Sequence, residues 1–275
     1  WLYSWTGISM SSNKKLQGAS GFLNLSSPLN VEDVFSTYLY DVTSLGTTVN
    51  NGIDLDGEGG MVMMQLKELG DYCYVNDTER GVNEFLMTQV NNASSSASYG
   101  SVSAFNSNGF TGVGHGYGGT REVVSWTFRK APKFFDVVIY TGNGSNQNIS
   151  HNLGCTPGFV MVKRRSGGTG HWSCWHRSLP STHYILLNLS NEAANGGEGA
   201  RTVNDSVFQI FGNFPDEGSN GTQYVMFLFA HNNNDGGFGP NGDQDIIKCG
   251  EFTTDSNGDY DGLDDLLDGL GIDLE

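Results

Sequence analysis

The residues of this chain best suited to chemistry lie near its end. Between Asn257 and Asp268, side-chain oxygens fall at positions one, three, five, nine and twelve of a twelve-residue window: Asn257, Asp259, Asp261, Asp265 and Asp268, with Gly262 at position six. That is the oxygen spacing of a calcium loop, in which the glycine allows the tight turn and the last acid closes the coordination shell. Two departures count against it. Position twelve is Asp rather than the longer Glu, and position eight is Asp264 where an apolar residue is usual. No flanking helix is signalled either. The segment reads as a calcium site or as a solvated acidic hairpin, and calcium is the one cofactor that any spacing in the chain suggests.

A second candidate is aromatic. Trp172 and Trp175, with His171, His176 and His183 around them, offer a face on which a sugar could stack its C–H groups. Three residues apart on a strand, however, the two indoles point to opposite faces, so at least one of them belongs to the core. The run Gly112–Gly119 looks like a phosphate loop but lacks the Lys-Ser or Lys-Thr and the following helix, and it reads as a β-turn with His115 inside it. No GxSxG or HExxH occurs. Asp77 and Glu79 lie close together, but His176 and Ser178 take their places in a second copy of the same segment, so no shared catalytic pair emerges. The residues predict a protein that is not an enzyme.

That second copy organises the whole chain. Phe35–Tyr40 recurs as Phe135–Tyr140 at an offset of 100, Gly60–Met64 as Gly158–Val162 at 98, and Tyr72–Val75 as Ser173–His176 at 101. Asn91–Ala93 and Val124–Phe128 recur at 100 and 101. So small a drift marks tandem modules of about a hundred residues, a common domain size. The predicted division is a connector or the end of a preceding domain over 1–32, one module over 33–132, a second over 133–244, and the start of a third over 245–275 that carries the acidic insertion. With Trp1 at its head and the third copy cut short, the chain reads as an internal piece of a longer array. Cys73 and Cys174 fall at equivalent places under this alignment and read as buried small hydrophobes. Neither they nor Cys155 and Cys249 form a CxxC or a Cys/His ligand spacing.

Each module carries short runs of β-branched and aromatic residues bounded by Gly, Ser, Asn and Pro. Thr37–Tyr40, Met61–Leu66, Tyr72–Val75, Glu84–Thr88 and Val124–Phe128 are the strands expected in the first copy. Val124, Trp126 and Phe128 alternate with Ser125 and Thr127, which predicts an apolar inner face and a polar outer one. In the second copy Met226 and Leu228 make both faces apolar, which predicts a strand covered on both sides. The expected fold is all-β, tandem antiparallel β-sandwich modules, with small β-barrels as the alternative. The short junction Arg129–Lys133 predicts modules held in a fixed relative orientation, as in a rod or rigid spike.

Charge narrows the partners. The net charge is −16, and residues 251–275 hold nine acids and no Lys or Arg, leaving −16 + 9 = −7 elsewhere. Such a surface repels a phosphate backbone, so nucleic acid is not an expected partner. No run of 18 apolar residues is present, so no helical membrane span is expected.

The segments Val124–Gly144, Ile149–Gly154 and Pro157–Lys163 resemble the repeated modules of large virion proteins in marine tailed phages, cyanophages above all. Asn51–Leu55, Asn106–Phe110 and Asp245–Gly250 are similar to further parts of those modules, and the resemblance runs from about Val34 to Gly250. It implies a structural, tail-fibre-like protein on the surface of an extracellular virion that takes part in host attachment, with other virion proteins and a host-surface glycan or receptor as partners. Homo-oligomers are expected, as for fibres generally. A carbohydrate-binding module of a larger enzyme and a capsid-surface decoration protein are the alternatives.

Overall fold

The computed structural model describes residues 28–42, 46–67, 72–96, 100–112 and 120–251. The segment 1–27, the glycine-rich run from Val113 to Gly119 and the acidic window Asn257–Asp268 lie outside the described residues. A short helix, α1 (Val31–Val34), leads into β1 (Phe35–Val42), β2 (Thr47–Asn50), β3 (Gly60–Leu66), β4 (Tyr74–Asp77), β5 (Leu86–Met87), β6 (Val102–Asn106), β7 (Gly109–Gly112) and β8 (Arg121–Arg129). The second copy follows as β9 (Phe135–Thr141), β10 (Gln147–Ser150), β11 (Pro157–Arg164), β12 (Ser173–His176), β13 (His183–Leu186), β14 (Ala194–Asn195), β15 (Val207–Ile210) and β16 (Gln223–Ala230).

The repeat is visible in the strand order. The first large sheet runs β1-β8-β3-β4-β5 and the second β9-β16-β11-β12-β13-β14, so the corresponding strands occupy corresponding places. Each is backed by a small sheet, β2-β7-β6 in the first copy and β10-β15 in the second. The ladders are antiparallel, and among the described residues no sheet closes into a barrel. The chain is all-β, built of antiparallel sandwiches in tandem. Among the described residues no helix is long and apolar enough to cross a membrane. A glycine stands first in β3 and second in β11 because another chain segment passes close by in both copies. A Cβ on Gly60 would lie 2.1 Å from the Phe128 carbonyl oxygen, and one on Gly158 would lie 2.7 Å from the His231 Cβ.

Three apolar cores separate four layers. Between the first large sheet and its small partner lie Val49, Ile53, Val62, Met64 and Phe110. Between the second large sheet and its partner lie Ile149, Val160, Trp175, Phe208 and Met226. The third core is the seam where the two large sheets meet: Met61, Val75 and Leu86 from the first pack against Phe135, Met161, Trp172 and Phe227 from the second. Phe128 and Phe229 stand edge to face across it at 5.5 Å. The modules therefore share one core across the junction, and they stack face to face rather than end to end. At the junction Lys130 reaches Glu79 of the first copy at 2.8 Å and Asp136 of the second at 3.5 Å.

Three expectations are corrected by this packing. First, the polar face of β8 is the better buried: Ser125 and Thr127 are wholly enclosed against the small sheet, while Val124, Trp126 and Phe128 on the seam side are only half-buried. Ser125 Oγ donates to the Tyr38 carbonyl and Thr127 Oγ1 accepts from Asn51 Nδ2 at 2.9 Å, so these hydroxyls are buried with partners. The two-sided burial predicted for β16 is present, with every residue from Tyr224 to Ala230 buried. Second, Cys73 and Cys174 are not equivalent. Met63 pairs with Val75 and Met161 with Cys174, so Val75 is the counterpart and the offset in this strand is 99. Both thiols are buried nonetheless, and burial pushes Cys73 up to about 11 and Cys174 up to about 12. Third, Ile246–Gly250, the stretch where a third module would need its opening strand, forms no strand. Ile246 and Ile247 pack against the existing cores, and Asn232 Oδ1 accepts both of their backbone N–H groups at 3.0 and 3.2 Å.

Candidate functional site

The two tryptophans do part to opposite faces, as strand parity requires. Trp172 is wholly buried in the seam, and its Nε1–H donates to the Met87 carbonyl of the other copy at 2.9 Å. An indole with no exposed face cannot stack on a sugar, so Trp172 leaves the candidate ligand set. Trp175 lies in the core of the second sandwich, 5.9 Å from the Phe208 ring, with 6% of its surface exposed. That remnant matters because of where it is.

The histidines do not gather. His171 Nδ1 bonds Asn188 Nδ2 at 3.0 Å, His176 Nδ1 accepts the Ser178 N–H at 3.2 Å, and His183 Nδ1 meets Thr182 Oγ1 at 2.8 Å. Among the described residues no three His, Cys, Asp or Glu side chains are grouped to hold a metal. Asp77 is also committed. It is fully buried and takes both the Arg80 Nε at 2.5 Å and the Arg80 backbone N–H at 2.8 Å, while Glu79 turns to Lys130.

What the sequence did not disclose is a cavity of about 670 Å³ at one end of the second sandwich. Four chain segments meet there: the entry to β11 (Cys155–Pro157), the exit of β12 (Trp175–Ser181), the stretch before β15 (Arg201–Val203) and the stretch after β16 (His231–Asp235). Loops gathered at the end of a rigid sandwich are the usual place for recognition. Trp175, Leu179 and Val203 supply apolar wall, while Arg177, Arg201 and Asp235 supply charge.

The two arginines differ in kind. Arg201 is buried, pairs through Nη1 and Nη2 with Glu217 at 3.2 and 3.3 Å, and lies over the Phe211 ring at 3.9 Å. Glu217 in turn accepts Ser173 Oγ–H at 2.7 Å and the Phe211 N–H at 2.9 Å. Arg201 is thus a structural cation, its side chain enclosed behind the cavity wall. Arg177 is exposed, and among the described residues its guanidinium makes no ion pair or hydrogen bond. Its charge is felt next door: desolvation, with Arg177 behind it, holds His231 below the usual imidazole value. Burial raises the Cys155 thiol to about 11, which removes it as a nucleophile at neutral pH.

The signal for Arg177 lies in the comparison of the two copies. The Arg177 N–H donates to the Gly158 carbonyl as the Thr78 N–H donates to the Gly60 carbonyl, so Thr78 is its counterpart. Thr78 Oγ1 is tied to the Gly60 N–H at 2.9 Å, whereas Arg177 reaches out into solvent beside the cavity. No curated protein and no solved structure matches the chain. A family model described as a domain of unknown function, DUF7483, matches residues 31–250, a span that takes in both large sheets and the seam between them, and the chain belongs to that family.

Proposed function

We propose that this chain is a non-enzymatic structural component of a bacteriophage particle, a segment of a tail fibre or related appendage that takes part in host attachment. The observation that carries the reading is the face-to-face stacking of two copies of one sheet through a predominantly apolar seam. Such a body resists bending between modules, and repetition extends it without new design, both of which suit an appendage that transmits contact from a host surface to a particle. The resemblance of Val124–Gly144 and Pro157–Lys163 to cyanophage virion modules supports the same assignment.

Self-association belongs to this reading. Among the described strands β1 and β9 are each paired on one side only, and they carry Leu39 and Ile139 at equivalent positions, 54% and 40% exposed. An unpaired edge with exposed apolar side chains is a ready template for a neighbouring chain, and symmetric oligomers use it. The test is immunogold labelling of intact particles of the virus that encodes the chain, with mass spectrometry of the purified particles. Label on the tail is expected. Label spread over the capsid would favour a decoration protein, and absence of the chain from the particles would refute the assignment.

A further inference from the structure

We propose that the cavity at the end of the second sandwich binds an acidic sugar, a pyranose carrying a carboxylate, as a uronic acid does. The proposal deepens the host-attachment reading by naming the chemistry of what is attached to. Three features of the cavity meet in that ligand. The Arg177 guanidinium is uncommitted and exposed where the cavity opens, and its planar fork matches a carboxylate through two parallel hydrogen bonds. Trp175, Leu179 and Val203 form an apolar wall suited to the C–H face of a sugar ring. Thr156, Ser181 and Asp235 add side-chain oxygens that hydroxyl groups can pair with.

Asp235 decides between a sugar and a simple anion. Its negative charge on the lining repels phosphate or sulfate, which has no hydroxyl array to offer it in return, whereas a sugar carries donors for a carboxylate as well as an acid for the arginine. At about 670 Å³ the space lies within the range of ligand pockets, roughly 300–1,000 Å³. The first sandwich has Thr78 in place of Arg177, committed to Gly60, so the same site is not duplicated there.

The experiment titrates the full chain with glucuronate, glucose and inorganic phosphate, reading heat by calorimetry and indole fluorescence. Glucuronate should bind at least about tenfold more tightly than glucose, and Arg177→Gln should remove that preference. Thr156→Trp, which crowds the cavity from its exposed rim, should weaken glucuronate while leaving the melting temperature unchanged. Lys67→Gln, an exposed cation on the first copy, should change nothing. No binding by glucuronate, equal binding of glucose, competition by phosphate as strong as that of glucuronate, or an unaffected Arg177→Gln would each overturn the proposal. Because the titration is blind to location on a particle, its failure leaves the virion assignment standing, and an absence from particles leaves the sugar site standing.

Discussion

Lys163 offers the sharpest test of the seam. It lies on the seam side of β11, wholly buried, with its Nζ donating to the Gly170 carbonyl and 5.8 Å from the centre of the Trp172 ring. Among the described residues no carboxylate pairs with it directly. Desolvation lowers it from 10.5 to about 8, against the opposing pull of Asp216 and with the push of Arg164. At 1.36 kcal/mol for each tenfold step, that fall corresponds to a cost of about 3 kcal/mol for holding the ammonium inside. At neutral pH the folded and unfolded chains both carry the proton, so the full cost is present. Between pH 8 and 10.5 the unfolded chain still binds a proton that the folded chain has released, so this group makes stability rise with pH until the cost is gone. Lys163→Met keeps the length and removes the charge, but leaves the Gly170 carbonyl without its donor, a loss of about 1 kcal/mol. The variant should therefore be about 2 kcal/mol more stable than the parent at pH 7 and about 1 kcal/mol less stable near pH 10.5. Urea unfolding of both proteins at matched pH measures the gap, and taking the difference cancels the buried thiols that titrate in the same range. A gap that stays constant from pH 7 to 10.5, or a variant already weaker at pH 7, would refute the reasoning.

Two further outcomes test the packing. Trp172→Ala empties the seam and frees the Met87 carbonyl, so it should cost about 3–5 kcal/mol and, because the seam is shared, speed hydrogen exchange in β3 of the other copy; unchanged β3 exchange would mean that the two sandwiches unfold independently. Glu217→Gln places an amide donor among four donors, from Ser173, Phe211 and two nitrogens of Arg201, and strips the buried Arg201 of its counter-charge. It should cost about 3–5 kcal/mol in denaturant, and replacing Arg201 and Glu217 together by Met should cost less than either single change.

Much of the fold was legible because period-two alternation and repeated landmarks are local signals. Gly60 and Gly158, the β8 and β16 runs and the opposite facing of Trp172 and Trp175 all read correctly from spacing. Which face of a strand is better covered is not local information. Ser125 and Thr127 look like an outer face until Asn51 and the Tyr38 carbonyl are brought to them, residues 76 and 87 positions away. The candidate site was illegible for the same reason in stronger form. Its lining comes from segments between Cys155 and Asp235 that share no spacing, and they meet only because β11 begins where β12 and β16 end.

One alignment choice shows how these two kinds of error differ. Matching Tyr72–Val75 to Ser173–His176 at an offset of 101 sets the strand two residues away from its true register of 99. A slip of two leaves each side chain on its correct face, because strand parity is unchanged, and so the expectation of buried cysteines survived it. Followed through, it would move the counterpart of Arg177 from Thr78, where the pairing of His176 and Ser178 with Asp77 and Glu79 puts it, to Asn76, a residue enclosed in the first sandwich with its Oδ1 accepting the Val102 N–H. Set against Thr78, which keeps its side chain on its own backbone, an arginine with no partner at the same place stands out as a departure between copies. The fold tolerates an even error in register, whereas a difference between copies is visible only when the register is right.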